Sequence, residues 1–193
     1  QRRAGLQLQL EFAQRQGLPG RLHFVSENQI NVFIPYEVSG LTSVQMKVAI
    51  GDLQTRVITL PIATYSPAAF EYREGSGQLS AAALDANFAV LSQQNPARRT
   101  QAIQLYYNGL GPVSNRPVSG EPASGSPLSA TTATPTVTIG GRNAQVLFSG
   151  LAPGLVGVYQ VNVLVPADSA TGRQPVGLSL GGVAARDTFT YIQ

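Results

Sequence analysis

The chain has 193 residues, 43% of them hydrophobic and only 12% charged, with 20 glycines, 13 prolines, one histidine and no cysteine. This excludes a disordered polyelectrolyte and a thiol nucleophile. The net charge of +3 is scattered, with Arg2-Arg3 and Arg98-Arg99 the only basic clusters, so the basic stripe expected of a nucleic-acid binder is missing.

No apolar stretch approaches the roughly 18 residues of a membrane span. Lys47 is the only lysine, and codon bias toward arginine explains that better than surface pairing does. The Gly and Pro content points to many turns, hence to β structure. The chain begins at Gln1 without Met, which reads as a product of processing or excision.

Leu6, Leu8, Leu10 and Phe12 alternate with Gln7, Gln9 and Glu11, the period of two of a half-buried strand. Gln14 to Gly20, with Gly17, Pro19 and Gly20, reads as a loop. Strands are expected at Arg21 to Val25, Ile30 to Ile34, Ser43 to Ile50 and Gln54 to Ile62, with Pro35 ending the second of these and Gly51-Asp52 turning the chain.

The middle region carries expected strands at Ala69 to Arg73, Gln78 to Ala83 and Phe88 to Leu91, with a turn at Asp85-Ala86-Asn87. A short helix at Ser80 to Leu84 competes, because alanine favours helix. Ala102 to Tyr107 is a further strand, ending at Asn108-Gly109-Leu110-Gly111. Pro112 to Pro135 is rich in Pro, Ser, Gly and Thr and reads as a loop rather than a core element. Strands follow at Thr136 to Ile139, Gln145 to Phe148, Val158 to Val165, Val176 to Leu180 and Thr188 to Ile192. Glycine pairs turn the chain at Gly140-Gly141 and Gly181-Gly182. Even spacing of short strands, with no sustained 3.6-residue period, predicts an all-β sandwich.

One phrase occurs twice. Gln29-Ile30-Asn31-Val32-Phe33-Ile34-Pro35 returns as Gln160-Val161-Asn162-Val163-Leu164-Val165-Pro166. Lys47 to Asp52 with Arg56 then parallels Gly177 to Gly182 with Arg186, and Leu22-His23-Phe24-Val25 parallels Val146-Leu147-Phe148-Ser149 more loosely. Self-similarity of this length predicts two copies of one β-module.

Chemistry-bearing patterns are few. His23 is the lone histidine, in a predicted strand, and has no partner for nucleophilic catalysis. There is no His-rich metal spacing. Glu71 and Glu74 flank a strand end and read as solvated. Asp85-Ala86-Asn87 lacks the glycine and terminal glutamate of a calcium loop, and an Asx turn explains it. Gly109-Leu110-Gly111 and Gly140-Gly141 are turn glycines, since no helix follows to make a phosphate site. No catalytic, cofactor or metal residue is therefore assigned and no cofactor is expected.

Two weaker candidates remain. Tyr106 and Tyr107 could form a ligand platform for a glycan, although alternation alone would put one ring in the core and one on the surface. Leu6, Leu8, Leu10 and Phe12 could form a subunit-contact strand inserted into a neighbour, although the repeat aligns them with Val137 to Ile139 as the first strand of their own module.

The run His23 to Val38 (HFVSENQINVFIPYEV) resembles a hallmark of secreted acidobacterial proteins. So do Asn95-Pro96-Ala97-Arg98, Tyr107 to Pro112, Val137 to Gly141 and Ala152 to Val163. The family is the Solibacter uncharacterised C-terminal domain, and the resemblance covers nearly the whole chain. It implies Ig-like modules of the type also seen in plexins and transcription factors, export, and placement at the end of a larger precursor. It implies no activity. Family members carry a strand upstream of the first copy, equivalent to Ala102 to Tyr107, whereas only Gln1 to Gly5 precede Leu6 here. The first module is thus open to being one strand short.

The expected organisation is two tandem Ig-like β-sandwich modules, at residues 1–62 and 101–193, joined by a β-hairpin region at 63–100. The expected role is a secreted or cell-surface, non-enzymatic structural protein: a filament or adhesive subunit that self-associates through strand edges. The alternative is a carbohydrate- or protein-binding module from a larger secreted protein. Neither nucleic acid nor a membrane span is expected.

Overall fold

The computed structural model describes residues 6–12 and 15–193. Arg2-Arg3, the Gln1 to Gly5 stretch and Gln14 lie outside them. The fold is all-β and sandwich-like; the described residues contain no α-helix, and one 3-10 turn, Tyr36–Val38, interrupts the strands. The chain divides into two compact units. One comprises residues 1–64 and 117–121, the other 65–116 and 122–193. The stretch 65–100 therefore groups with the second unit.

The first unit contains β1 (Leu6–Phe12), β2 (Arg15–Pro19), β3 (Arg21–Val25), β4 (Ile30–Phe33), β5 (Ser43–Ile50), β6 (Leu53–Gln54) and β7 (Ile58–Pro61). A five-stranded sheet runs β2-β1-β5-β6 with β7 also on β5, and β3 pairs β4 separately. The second unit contains β8 (Ala68–Ala69), β9 (Glu71–Arg73), β10 (Leu79–Ala81), β11 (Ala83–Leu84), β12 (Ala102–Asn108), β13 (Thr136–Ile139), β14 (Arg142–Leu151), β15 (Tyr159–Leu164), β16 (Gly172–Leu180), β17 (Val183–Ala184) and β18 (Thr188–Ile192). Its main array runs β11-β12-β15-β14-β13-β16-β17, with β8 on β12 and β18 on β16.

Three local expectations are corrected. Arg15–Pro19 is a strand, not a loop: it is the edge partner of β1, and an edge tolerates Pro19 because no ladder donor is needed on its outer side. Phe88 to Leu91 forms no strand. The Asp85 carboxylate accepts the amides of Asn87 (2.8 Å) and Ala89 (2.9 Å), Phe88 sits at φ 62°, and only an isolated Leu84–Val90 bridge remains. Gln54 to Ile62 is split into β6 and β7, both on β5. Ser80 to Leu84 holds the end of β10 and all of β11 with Ala82 between them, so pairing overrides alanine's helix propensity. Pro112 to Pro135 holds isolated bridges only, yet Ala123 and Ser129 within it are buried.

The pairing of the two units coincides residue by residue. In the first, Leu22 faces Val32 and Phe24 faces Asn31, with a bulge between Leu22 and Phe24. In the second, Val146 faces Val163 and Phe148 faces Asn162, with a bulge between Val146 and Phe148. Adding 124 to the β3 numbers and 131 to the β4 numbers converts one ladder into the other. On β5, Leu8–Val48, Ile50–Leu53 and Met46–Ile58 match Val137–Leu178, Leu180–Val183 and Val176–Thr188 on β16.

β14 shows how the strands are shared. Its first residues, Arg142 to Ala144, pair β13, and Gln145 onward pair β15. In the first unit the same two tasks fall to β2 and β3, separated by Gly20 alone. A glycine after a proline breaks the strand where it changes partner.

The core lies in the second unit. Ile103, Leu105, Val161, Val163, Val165 and Ile139 are fully buried in one cluster with Val176, Leu178 and Leu180. Each contributes on the order of 1.5–3 kcal/mol through removal from water. The first unit has no comparable cluster among its described side chains: Val38 and Val44 are its buried aliphatic side chains.

Candidate functional site

β15 has a neighbour on each side. Val163 faces Val146 of β14 and Ile103 of β12, and the β12–β15 ladder runs from Ala102–Leu164 to Tyr107–Tyr159. Its counterpart β4 has one neighbour. Among the described residues, Ile30 to Phe33 pair with β3 and with nothing on the opposite edge. An open strand edge displays unsatisfied N–H and C=O groups and is a template for another strand.

The side chains record the same difference. Val161, Val163 and Val165 are 0% exposed, while Ile30, Val32 and Ile34 are half-buried. Leu180 is 3% exposed and its counterpart Ile50 is 48%. Around β4 and β5 the first unit also exposes Phe24, Val25, Leu53, Val57 and Ile58. In the second unit Ile103, Leu105 and Tyr107 of β12, each at most 1% exposed, pack in one cluster with Val161, Val163 and Leu180. Among the described residues, the first unit has matching ladders and no strand in the place that β12 takes in the second.

Pro117–Glu121 reaches the end of this edge. Ser119 Oγ accepts the Tyr36 amide (2.9 Å) and donates to Glu37 Oε2 (2.6 Å), with Ser119 8% exposed. Gly120 sits so close to the Arg21 side chain that no Cβ fits without displacing it. The segment forms no strand and does not pair with β4.

The sequence candidates fall elsewhere. Leu6, Leu8 and Leu10 face Ile50, Val48 and Met46, and β1 lies between β2 and β5 with both edges taken. Tyr107 is buried, and burial first, then the nearby Asp187 charge, raises its phenol pKa far above the usual value. Tyr106 is half-buried; burial raises its pKa too, and its hydroxyl donates to Gln104 (3.1 Å). The two rings thus share no surface. His23 is exposed at the β3 bulge. Glu71, read as solvated, is instead held by Thr188 Oγ1 (2.8 Å) and Arg186 (3.3 Å), and Glu74 accepts Ser80. Among the described residues no three His, Cys, Asp or Glu cluster as metal ligands would, and no helix is long and apolar enough to cross a membrane.

Compared with family models, with curated proteins and with solved structures, the chain matches none. Among the described residues, the geometry singles out the β4 edge. The repeated phrase points to it, because it equates β4 with β15, which β12 flanks. The Ser119 contacts have no sequence signal, since a serine in a polar loop looks like any other.

Proposed function

We propose that the two units are copies of an Ig-like module and that the protein is an exported, non-enzymatic structural subunit that assembles through β-strand edges. One observation carries this reading: among the described residues, β4 has no neighbour such as β12 gives to β15. The shared bulge and the matched ladders support the duplication. The resemblance to secreted acidobacterial proteins supports export. Adhesive and filament proteins need strong, sequence-tolerant joints, and strand addition supplies them through backbone hydrogen bonds plus burial of alternate side chains.

The test is sedimentation of the purified chain over a range of concentrations, with electron microscopy of the heaviest species. The chain is expected to associate, and Val32→Lys, which sets a charge at the open edge, is expected to weaken association by at least about tenfold. A strict monomer at high concentration overturns the assembly reading.

A further inference from the structure

We infer that the β4 edge accepts an extended strand of β12 chemistry from a neighbouring polypeptide, laid antiparallel to β4 with an apolar side chain at every second position. This rests on the reading of β4 as the assembly edge. The second unit shows the filled form of the site. There β12 runs antiparallel to β15, and Ile103, Leu105 and Tyr107 point to the core while Gln104 and Tyr106 between them are only partly covered. Because β3–β4 reproduces β14–β15 down to the bulge, a strand on the free edge of β4 meets the register that β15 offers β12. Its inward side chains would reach the half-buried faces of Ile30, Val32 and Ile34 and cover Ile50.

The described strands of a second copy are poor donors. β1 carries the right alternation but is held by β2 and β5. β12 is held by β15, β11 and β8, with its inward residues at the centre of a core. Releasing either would unfold the unit that owns it. Symmetric pairing of two β4 edges would satisfy backbone groups and add no side chain to the uncovered face. A separate strand does both, so it should displace any edge-to-edge association of the bare chain.

The full chain tests this in cis. A copy of Ala102–Asn108 is fused ahead of Gln1 through a flexible linker as long as the 109–135 connection between β12 and β13. In a control copy, serine replaces the residues taken from Ile103, Leu105 and Tyr107. The fused strand should slow amide exchange at Ile30 to Phe33 by at least about tenfold and raise the melting temperature of the first unit, with the control doing neither. The same heptapeptide in trans, with a lysine at each end, should bind the unfused chain saturably and dissociate its oligomers. Equal behaviour of fusion and control, protection at the β2 or β7 edge instead of β4, or a β4-paired dimer that the peptide cannot displace overturns the inference. A monomeric chain that the fusion still stabilises would overturn the assembly reading and leave the strand-accepting edge standing.

Discussion

Val32 faces Leu22 across one edge of its strand and, among the described residues, has no partner on the other, whereas its counterpart Val163 is flanked by Val146 and Ile103. The same residue type in the same ladder therefore sits in two environments. Val163→Ala should cost about 2 kcal/mol or more, combining lost burial with a cavity that dense packing cannot close. Val32→Ala should cost less than about 1 kcal/mol, because solvent already reaches that position. Chemical denaturation with amide exchange read separately for the two units measures both.

Tyr107 makes stability sensitive to alkali. Its phenol pKa is raised by burial in the folded protein, so above the ordinary value near 10 the unfolded chain releases a proton that the folded chain keeps. Its contribution is complete below about pH 10 and declines as pH rises further. Tyr107 Oη also lacks a hydrogen-bond partner among the described residues. Tyr107→Phe should thus be neutral or stabilising by up to about 1 kcal/mol at pH 7, and should flatten the fall in melting temperature between neutral and alkaline buffers.

Asp85 holds its turn with a single oxygen. Asp85→Ala leaves the Asn87 and Ala89 amides without their acceptor and should cost about 1–3 kcal/mol. Asp85→Asn keeps an acceptor oxygen and should recover more than half of that loss. Thermal unfolding of the two variants side by side checks the ordering.

Gly109 and Gly141 both take positive φ, at 68° and 75°. A Cβ on Gly109 would collide with the Ser66 carbonyl, whereas one on Gly141 meets nothing within 4 Å. Gly141→Ala should cost only the backbone term of about 1 kcal/mol. Gly109→Ala should cost at least twice that, since the Ser66 amide donates to the Gly109 carbonyl at 2.9 Å and the two segments cannot part freely.

Ser119→Ala removes the acceptor of the Tyr36 amide and the donor to Glu37. It should accelerate exchange of the Tyr36 amide by at least about tenfold, with a stability loss of about 1–2 kcal/mol. Unchanged exchange would show that the serine does not hold the segment.

Several strands were legible from the residues alone: Leu6–Phe12, Arg21–Val25, Ser43–Ile50, Thr136–Ile139 and Thr188–Ile192 all form where they are expected, and in Thr136–Ile139 every second side chain is buried as a period of two requires. Arg15–Pro19 was illegible because Gly17 and Pro19 are turn residues by local preference, and only the neighbouring β1 makes an edge strand of them. Phe88 to Leu91 misled in the opposite sense: its apolar content is overridden by one carboxylate that captures two amides. The likeness of β4 to β15 could be read from the repeat. The identity of the exposed edge could not, because it depends on which side of Ile30–Phe33 β3 occupies.

The Pro117–Glu121 segment has a practical meaning for anyone cutting this gene. The polypeptide passes from one unit to the other at Thr64–Tyr65, at Arg116–Pro117 and again at Glu121–Pro122. A fragment ending at Thr64 would lack the serine that ties down Tyr36 and Glu37, and its complement would carry that serine with nothing to hold. A protease nick at Thr64–Tyr65 would leave the segment seated on the first unit, so the halves should co-elute under native conditions and separate only in denaturant. No single peptide bond separates the two units.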